Sequence, residues 1–134
     1  MNWEEYYDKN RFLYPVKPSC RNITTFDIRR VYPLQQDNVK TTYDVVKHCC
    51  GVKRVIVFGS SITMRCNERS DLDLCIEMID PDNHELKNNV ANSIRDAVDC
   101  DVDILWRENL DNTCPVLIDI RKGLVIYEQS SKES

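Results

Sequence analysis

No stretch of this 134-residue chain approaches the roughly 20 consecutive apolar residues that a membrane-spanning helix needs. The acidic opening Met1-Asn2-Trp3-Glu4-Glu5 also lacks the basic and then apolar pattern of a secretory signal. Missing as well is any block of like charge: 18 Lys and Arg stand against 22 Asp and Glu, for a formal charge of −4. A protein that grips nucleic acid through a broad basic footprint needs clustered cations to displace counterions from phosphates. That class is therefore set aside, while a small anionic substrate neutralised partly by metal ions stays open. The seven cysteines include no Cys-x-x-Cys pair, and their number is odd. Scattered through apolar segments, they read as reduced thiols packed as small hydrophobes, which points to a cytoplasmic setting. His48-Cys49-Cys50 reads as a helix end, because immediately adjacent residues wrap a tetrahedral metal poorly. Internal repeats and low-complexity tracts are absent, and the length suits one domain closing a single core.

Along the chain, residues 1–37 show little periodicity and hold Pro15, Pro18 and Pro33. Trp3, Tyr6, Tyr7 and Phe12 fit either one stripe of a short helix or an aromatic arm, so this part is an N-terminal extension of unassigned structure. From Asp37, Val39, Tyr43, Val46 and Cys50 recur at helical spacing, with Gly51 as the stop. Arg54 to Phe58 reads as a buried strand ending at the turn Gly59-Ser60. The polar spacer Ser61 to Ser70 begins as a helical turn, and a second strand follows over about Asp71 to Met78. There the period of two sends Leu72, Leu74, Ile76 and Met78 to a core and Asp71, Asp73, Cys75 and Glu77 to the other face. Asp82 to Asp99 reads as a helix, with Asp82 and Glu85 at capping-box spacing and a stripe of Leu86, Val90, Ile94 and Ala97/Val98. A strand follows over about Cys100 to Trp106, with Val102, Ile104 and Trp106 on one face and Asp101, Asp103 and Leu105 on the other. A short helix from Pro115 to Gly123 would bury Val116 and Ile120, with Leu117 left open, before a last strand, Leu124 to Tyr127. This alternation predicts an α/β (α+β) domain over residues 38–128, a mixed β-sheet flanked by helices, and a polar tail over 129–134.

The chemistry lies in Val55-Ile56-Val57-Phe58-Gly59-Ser60 followed, ten residues on, by Asp71-Leu72-Asp73-Leu74. Two carboxylates on one strand face repel each other and call for a divalent cation. With Asp103 (or Asp101) arriving from a neighbouring strand, three carboxylates match what a two-metal phosphoryl-transfer site requires. Asp71, Asp73 and Asp103 are thus both the catalytic and the metal-ligand candidates, with Asp103 placed to orient or deprotonate a hydroxyl. Gly59 would let a triphosphate approach the backbone, and Ser60 would offer its hydroxyl and amide. Arg65, Arg69 and Lys53 are weighed against ordinary surface charge as further triphosphate contacts. Glu77 shares the acid face farther along its strand and reads as solvated.

Gly59-Ser60, ten residues, then Asp71-Leu72-Asp73 resembles the signature of the DNA polymerase β-like nucleotidyltransferase superfamily, in its minimal nucleotidyltransferase (MNT) branch. Val102-Asp103-Ile104-Leu105 is similar to the strand bearing that family's third carboxylate, and Ile120 to Tyr127 to the helix-Gly-strand with which such domains close. The resemblance implies the polymerase β-like fold, Mg²⁺ or Mn²⁺, and ATP or another nucleoside triphosphate held by Gly59, Ser60, Ser61 and Arg65. It implies transfer of a nucleoside monophosphate, foremost AMP, to a hydroxyl of a protein or small molecule, with release of pyrophosphate. Antitoxins of toxin–antitoxin pairs resemble this branch too, so a HEPN-type toxin is an expected partner, bound by contact as well as, or instead of, being modified. A homo-oligomer is compatible with the same resemblance. Many minimal members follow Gly-Ser with Arg-x-Arg-Gly, where this chain has Ser61-Ile62-Thr63-Met64, so an arginine is missing at Ser61 and Arg65 or Arg69 would have to substitute.

Overall fold

In the computed structural model, residues 13–62 and 70–129 are described. Four strands, β1 (Val52–Phe58), β2 (Leu72–Met78), β3 (Val102–Trp106) and β4 (Leu124–Glu128), form one sheet in the order β3-β2-β1-β4. β1 runs antiparallel to β2 and to β4, whereas β2 and β3 are parallel. Among the described residues three α-helices accompany them: α1 (Pro33–Val46), α2 (His84–Ala97) and α3 (Val116–Arg121). Adjacent parallel strands cannot be joined by a tight turn, and α2 supplies the crossover from β2 to β3. The mixed sheet with flanking helices is the α+β architecture expected, and the order of elements from α1 onward matches the sequence reading.

Alternation along the strands makes two layers of packing. Val55, Val57, Leu72, Leu74, Ile76, Val102 and Ile126 meet Val39 and Val46 of α1 and Val90 and Ile94 of α2 in the main core. On the other face, Phe58 and Cys75 pack with Leu117 and Ile120 of α3 in a smaller cluster. Cys75 is thus sealed under a helix rather than lying open among the acids of its strand, and its thiol is pushed up to about 11, chiefly by burial. Leu117, left open by the sequence, is buried at 4 % exposure, while Val116 packs only at the edge of the cluster. α3 sits close because Gly123 has no side chain: a Cβ there would lie 2.6 Å from Ile56 Cγ2 and 2.7 Å from the Val57 carbonyl oxygen.

Several boundaries move. α1 begins at Pro33 and ends at Val46, not at Asp37 and Cys50; proline's fixed φ suits a first helical turn, and Cys50 lies exposed beyond the helix. α2 is capped by Asn83, whose side chain accepts the Leu86 N–H, in place of Asp82. Ala97 is exposed, and Lys87 and Ala91 are buried where the stripe Leu86, Val90, Ile94 and Val98 left them out. Lys87 is 7 % exposed. It forms an ion pair with Glu108, and its Nζ lies 5.1 Å from the Trp106 ring centroid, which ties α2 to the end of β3.

Residues 13–31 pack into the same body. Cys20, Phe26, Ile28 and Val31 belong to the main core, and Tyr14 N–H donates to the Arg29 carbonyl at 2.7 Å. The buried amide of Gln36 stitches this segment to α1: Oε1 accepts from Lys17 N at 2.8 Å, and Nε2 donates to the carbonyls of Pro15 and Val31 at 2.9 and 3.0 Å. Trp3, Tyr6, Tyr7 and Phe12 lie outside the described residues. No described helix is long and apolar enough to cross a membrane, and the six described cysteines are free thiols.

Candidate active site

β1 ends where Gly59 takes φ +75°, a left-handed conformation that costs a side-chain-bearing residue about 1–2 kcal/mol. A Cβ at that position would also collide with Asp73 Oδ2. Gly59 is therefore required twice, to leave the strand and to admit the carboxylate, because Phe58 pairs directly with Asp73 across the ladder. The chain continues as a 3-10 turn, Gly59–Ile62, and the expected helical turn after Gly-Ser is present.

Asp73 and Asp103 are brought together by the parallel ladder, which pairs Leu72 with Val102, Asp73 with Asp103 and Leu74 with Ile104. Backbone pairing thus chooses Asp103 over Asp101 as the neighbour of Asp73. Asp101 lies one step before the ladder, where its carbonyl accepts the Leu72 N–H at 2.9 Å. Asp103 is exposed and Asp73 half-buried. The Asp73 carboxyl is pushed up to about 6, first by burial, then by the charges of Asp103 and Asp71 and by a hydrogen bond shared with Asp103. A like charge this close disfavours the ionised form of Asp73. Asp71 is exposed and reaches this pair through its charge. Among the described residues no group of three or more acidic, His or Cys side chains is gathered tightly enough to hold an ion. The donor set nevertheless suits a hard divalent cation: it is made of carboxylate oxygens, and a cation would offset the like charges that push Asp73 up. Asp73 and Asp103 would hold it, with Asp71 beside them.

The remaining expected contacts fall differently. Ser60 is half-buried beside the turn. Ser61 is wholly buried; its carbonyl accepts the Tyr32 N–H at 2.8 Å, and its Oγ has no hydrogen-bond partner among the described residues. Arg65 and Arg69 lie outside the described residues. Lys53 sits at the other end of β1 from Gly59 and pairs with Glu77 at 3.4 Å, too far along the strand to reach a phosphate at the turn. Glu77 is half-buried and paired with Lys53 and Arg54, rather than solvated.

Gln35 carries no motif in the sequence, yet it is only 3 % exposed. Its Nε2 donates to the Ser70 carbonyl at 3.0 Å, immediately before Asp71. Its Oε1 accepts from Asn38 Nδ2 at 3.0 Å and from the Cys100 thiol at 3.7 Å, shortly before β3. One amide thereby ties down the entrances of both acid-bearing strands. The sole signal in the sequence is a pair of amides, Gln35-Gln36, at the start of a helix whose other buried residues are Val39, Thr42 and Val46.

The family model described as "Polymerase beta, Nucleotidyltransferase" matches residues 40–132, which is most of the chain, and the protein belongs to that family. Its fold is shared with solved toxin–antitoxin structures. One, a mutant of the toxin–antitoxin MntA-HpeT, is 15 % identical at a TM-score of 0.52, covering 69 % of this chain and 74 % of that one. A second, a toxin–antitoxin with AMP-PNP, is 17 % identical with a TM-score of 0.55, covering 69 % and 75 %. A third contains a tri-AMPylated Shewanella oneidensis HEPN toxin in complex with an MNT antitoxin, at 19 % identity and a TM-score of 0.50, covering 71 % and 73 %. No curated protein matches the chain in sequence.

Proposed function

We propose that this nucleotidyltransferase-family protein moves AMP from ATP, with Mg²⁺, to a hydroxyl of a protein or small-molecule acceptor. The observation that carries the reading is the pair Asp73 and Asp103, set side by side by the parallel ladder next to the Gly59 turn, where a divalent cation would offset their like charges. In the reaction the acceptor oxygen bonds to the α-phosphorus of ATP, the bond from that phosphorus to the β-bridging oxygen breaks, and pyrophosphate leaves. Asp103, the more exposed of the pair, takes or orients the hydroxyl proton. The Gly59 and Ser60 backbone flanks the triphosphate, and Asp71 adds negative charge where cations gather. Divalent cations bound at the acids would stabilise the charge developing on the entering and leaving oxygens. Free thiols and an ATP substrate suit a cytoplasmic setting.

A second reading, an antitoxin-like partner of a HEPN-type protein, is supported by the fold shared with toxin–antitoxin complexes. One experiment addresses both readings. The chain is incubated with ATP, Mg²⁺ and a co-purifying protein, and the intact mass of that protein is measured for the wild type and for Asp71→Asn/Asp73→Asn. A gain of one nucleotide that disappears in the variant supports transfer. A stable complex of unmodified mass supports binding alone, and a gain that persists in the variant refutes the site.

A further inference from the structure

The acid-bearing face of the sheet has a second end. Beyond Asp73, Cys75 and Glu77 follow on the same face of β2 at about 7 Å intervals. Between them and α3 lies a cavity of about 190 Å³ lined by Arg54, Arg107, Arg121 and Glu77 over an apolar floor that includes Ile56 and Leu117. Three guanidinium groups against the carboxylates of Glu77 and Glu128 leave a local excess of positive charge in a chain whose formal charge is −4. Of the three, Arg54 is already engaged, by Glu128 at 2.6 Å and Glu77 at 3.4 Å. Arg107 spends one N–H on the Leu110 carbonyl at 2.9 Å and has no carboxylate partner among the described residues. Arg121 is exposed and, among the described residues, makes neither a hydrogen bond nor an ion pair. Two guanidinium forks with donors to spare, at the rim of an apolar pocket, match an oxyanion carried on a small apolar body. The volume is below that of a whole nucleotide site, and Arg54 stands five residues, about 16 Å, along β1 from Gly59, so the groove's arginine end lies apart from the turn that would hold the triphosphate.

We propose that this groove is a binding site for a carboxylate or phosphate group borne on a compact apolar or aromatic body. Its use as the footing of the acceptor, with the acceptor hydroxyl reaching back along β2 to Asp103, rests on the transferase reading above.

The probes are phenyl phosphate and phenylacetate, with benzyl alcohol as the uncharged control, titrated into the full chain and followed by backbone amide NMR. Saturable shifts centred on Gly123, Cys75 and Arg121 are expected for at least one of the two anions, and none for benzyl alcohol. Affinity should fall about tenfold in Arg107→Gln and in Arg121→Gln, the loss of one charge-assisted contact, and stay unchanged in Asp73→Asn. A preference for phenyl phosphate identifies a phosphate ligand, and one for phenylacetate a carboxylate. Absence of saturable shifts for both anions, affinity unaltered in the Arg107→Gln/Arg121→Gln double variant, or shifts centred on Gly59 and Ser60 would each overturn the proposal. Failure of nucleotide transfer leaves these binding readouts unmoved, so the two readings fail separately.

Discussion

Replacing Asp73 by Asn should make the metal-free protein more stable at neutral pH and less able to respond to nucleotide and cation. The folded-state carboxyl holds its proton up to about pH 6, against 3.8 for the ordinary group. Between those values the folded chain carries a proton that the unfolded chain has lost, so stability falls as pH rises across the window. A shift of about two units corresponds to about 3 kcal/mol, and the partial solvent access of Asp73 reduces this to about 1–2 kcal/mol. Asn keeps the shape, removes the charge and can donate an N–H to Asp103. Urea unfolding in EDTA should therefore show the variant ahead by about 1–2 kcal/mol at pH 8 and level with the wild type near pH 4. With Mg²⁺ and ATP added at pH 8 the order should invert, because a ligand that binds only the folded state stabilises the chain that binds it. A variant less stable than the wild type at pH 8 in EDTA, or an advantage equal at both pH values, would refute the reasoning.

Gly59→Ala should lose about 1–2 kcal/mol from the left-handed backbone alone and more from the collision with Asp73 Oδ2; the urea midpoint and nucleotide-dependent thermal shift measure both parts. Gln35→Ala removes the hydrogen bonds that the Gln35 amide makes with Ser70, Asn38 and Cys100 and should cost about 1–3 kcal/mol, with amide exchange accelerating at Leu72 and Val102. The Lys87–Glu108 pair should respond asymmetrically: Glu108→Ala leaves a buried ammonium uncompensated and should cost about 2–4 kcal/mol, whereas Lys87→Met leaves a carboxylate that reaches water and should cost about half as much, both read from chemical denaturation.

The strands and the acids were legible because their causes are local. A period of two assigned Asp73 and Leu74 to opposite faces, and Gly59 announced a turn that the structure makes with positive φ. The start of α1 is not, because the helical period of Val39, Tyr43 and Val46 does not reach back to Pro33, the first helical residue. Cys75 was placed with the acids by the same period, and only the docking of α3, fixed by Gly123 against Ile56, shows that this face is half covered. Buried amides and a buried Lys are least visible of all, since Gln35, Gln36 and Lys87 owe their burial to partners distant in sequence. The choice between Asp101 and Asp103 depended on ladder register, which spacing within one strand does not specify.

The parallel pairing of β2 with β3 separates two things that sequence places together. Because main-chain bonds on rigid strands hold Asp73 beside Asp103, the connecting stretch through α2 need not keep a fixed length for the acids to meet. The entropic penalty of a longer closed loop grows only logarithmically, so insertions at the exposed turn around Asp80 and Asp82 leave the reactive geometry where it is. The chain could thus acquire new recognition surface at that end of the sheet without retuning its chemistry.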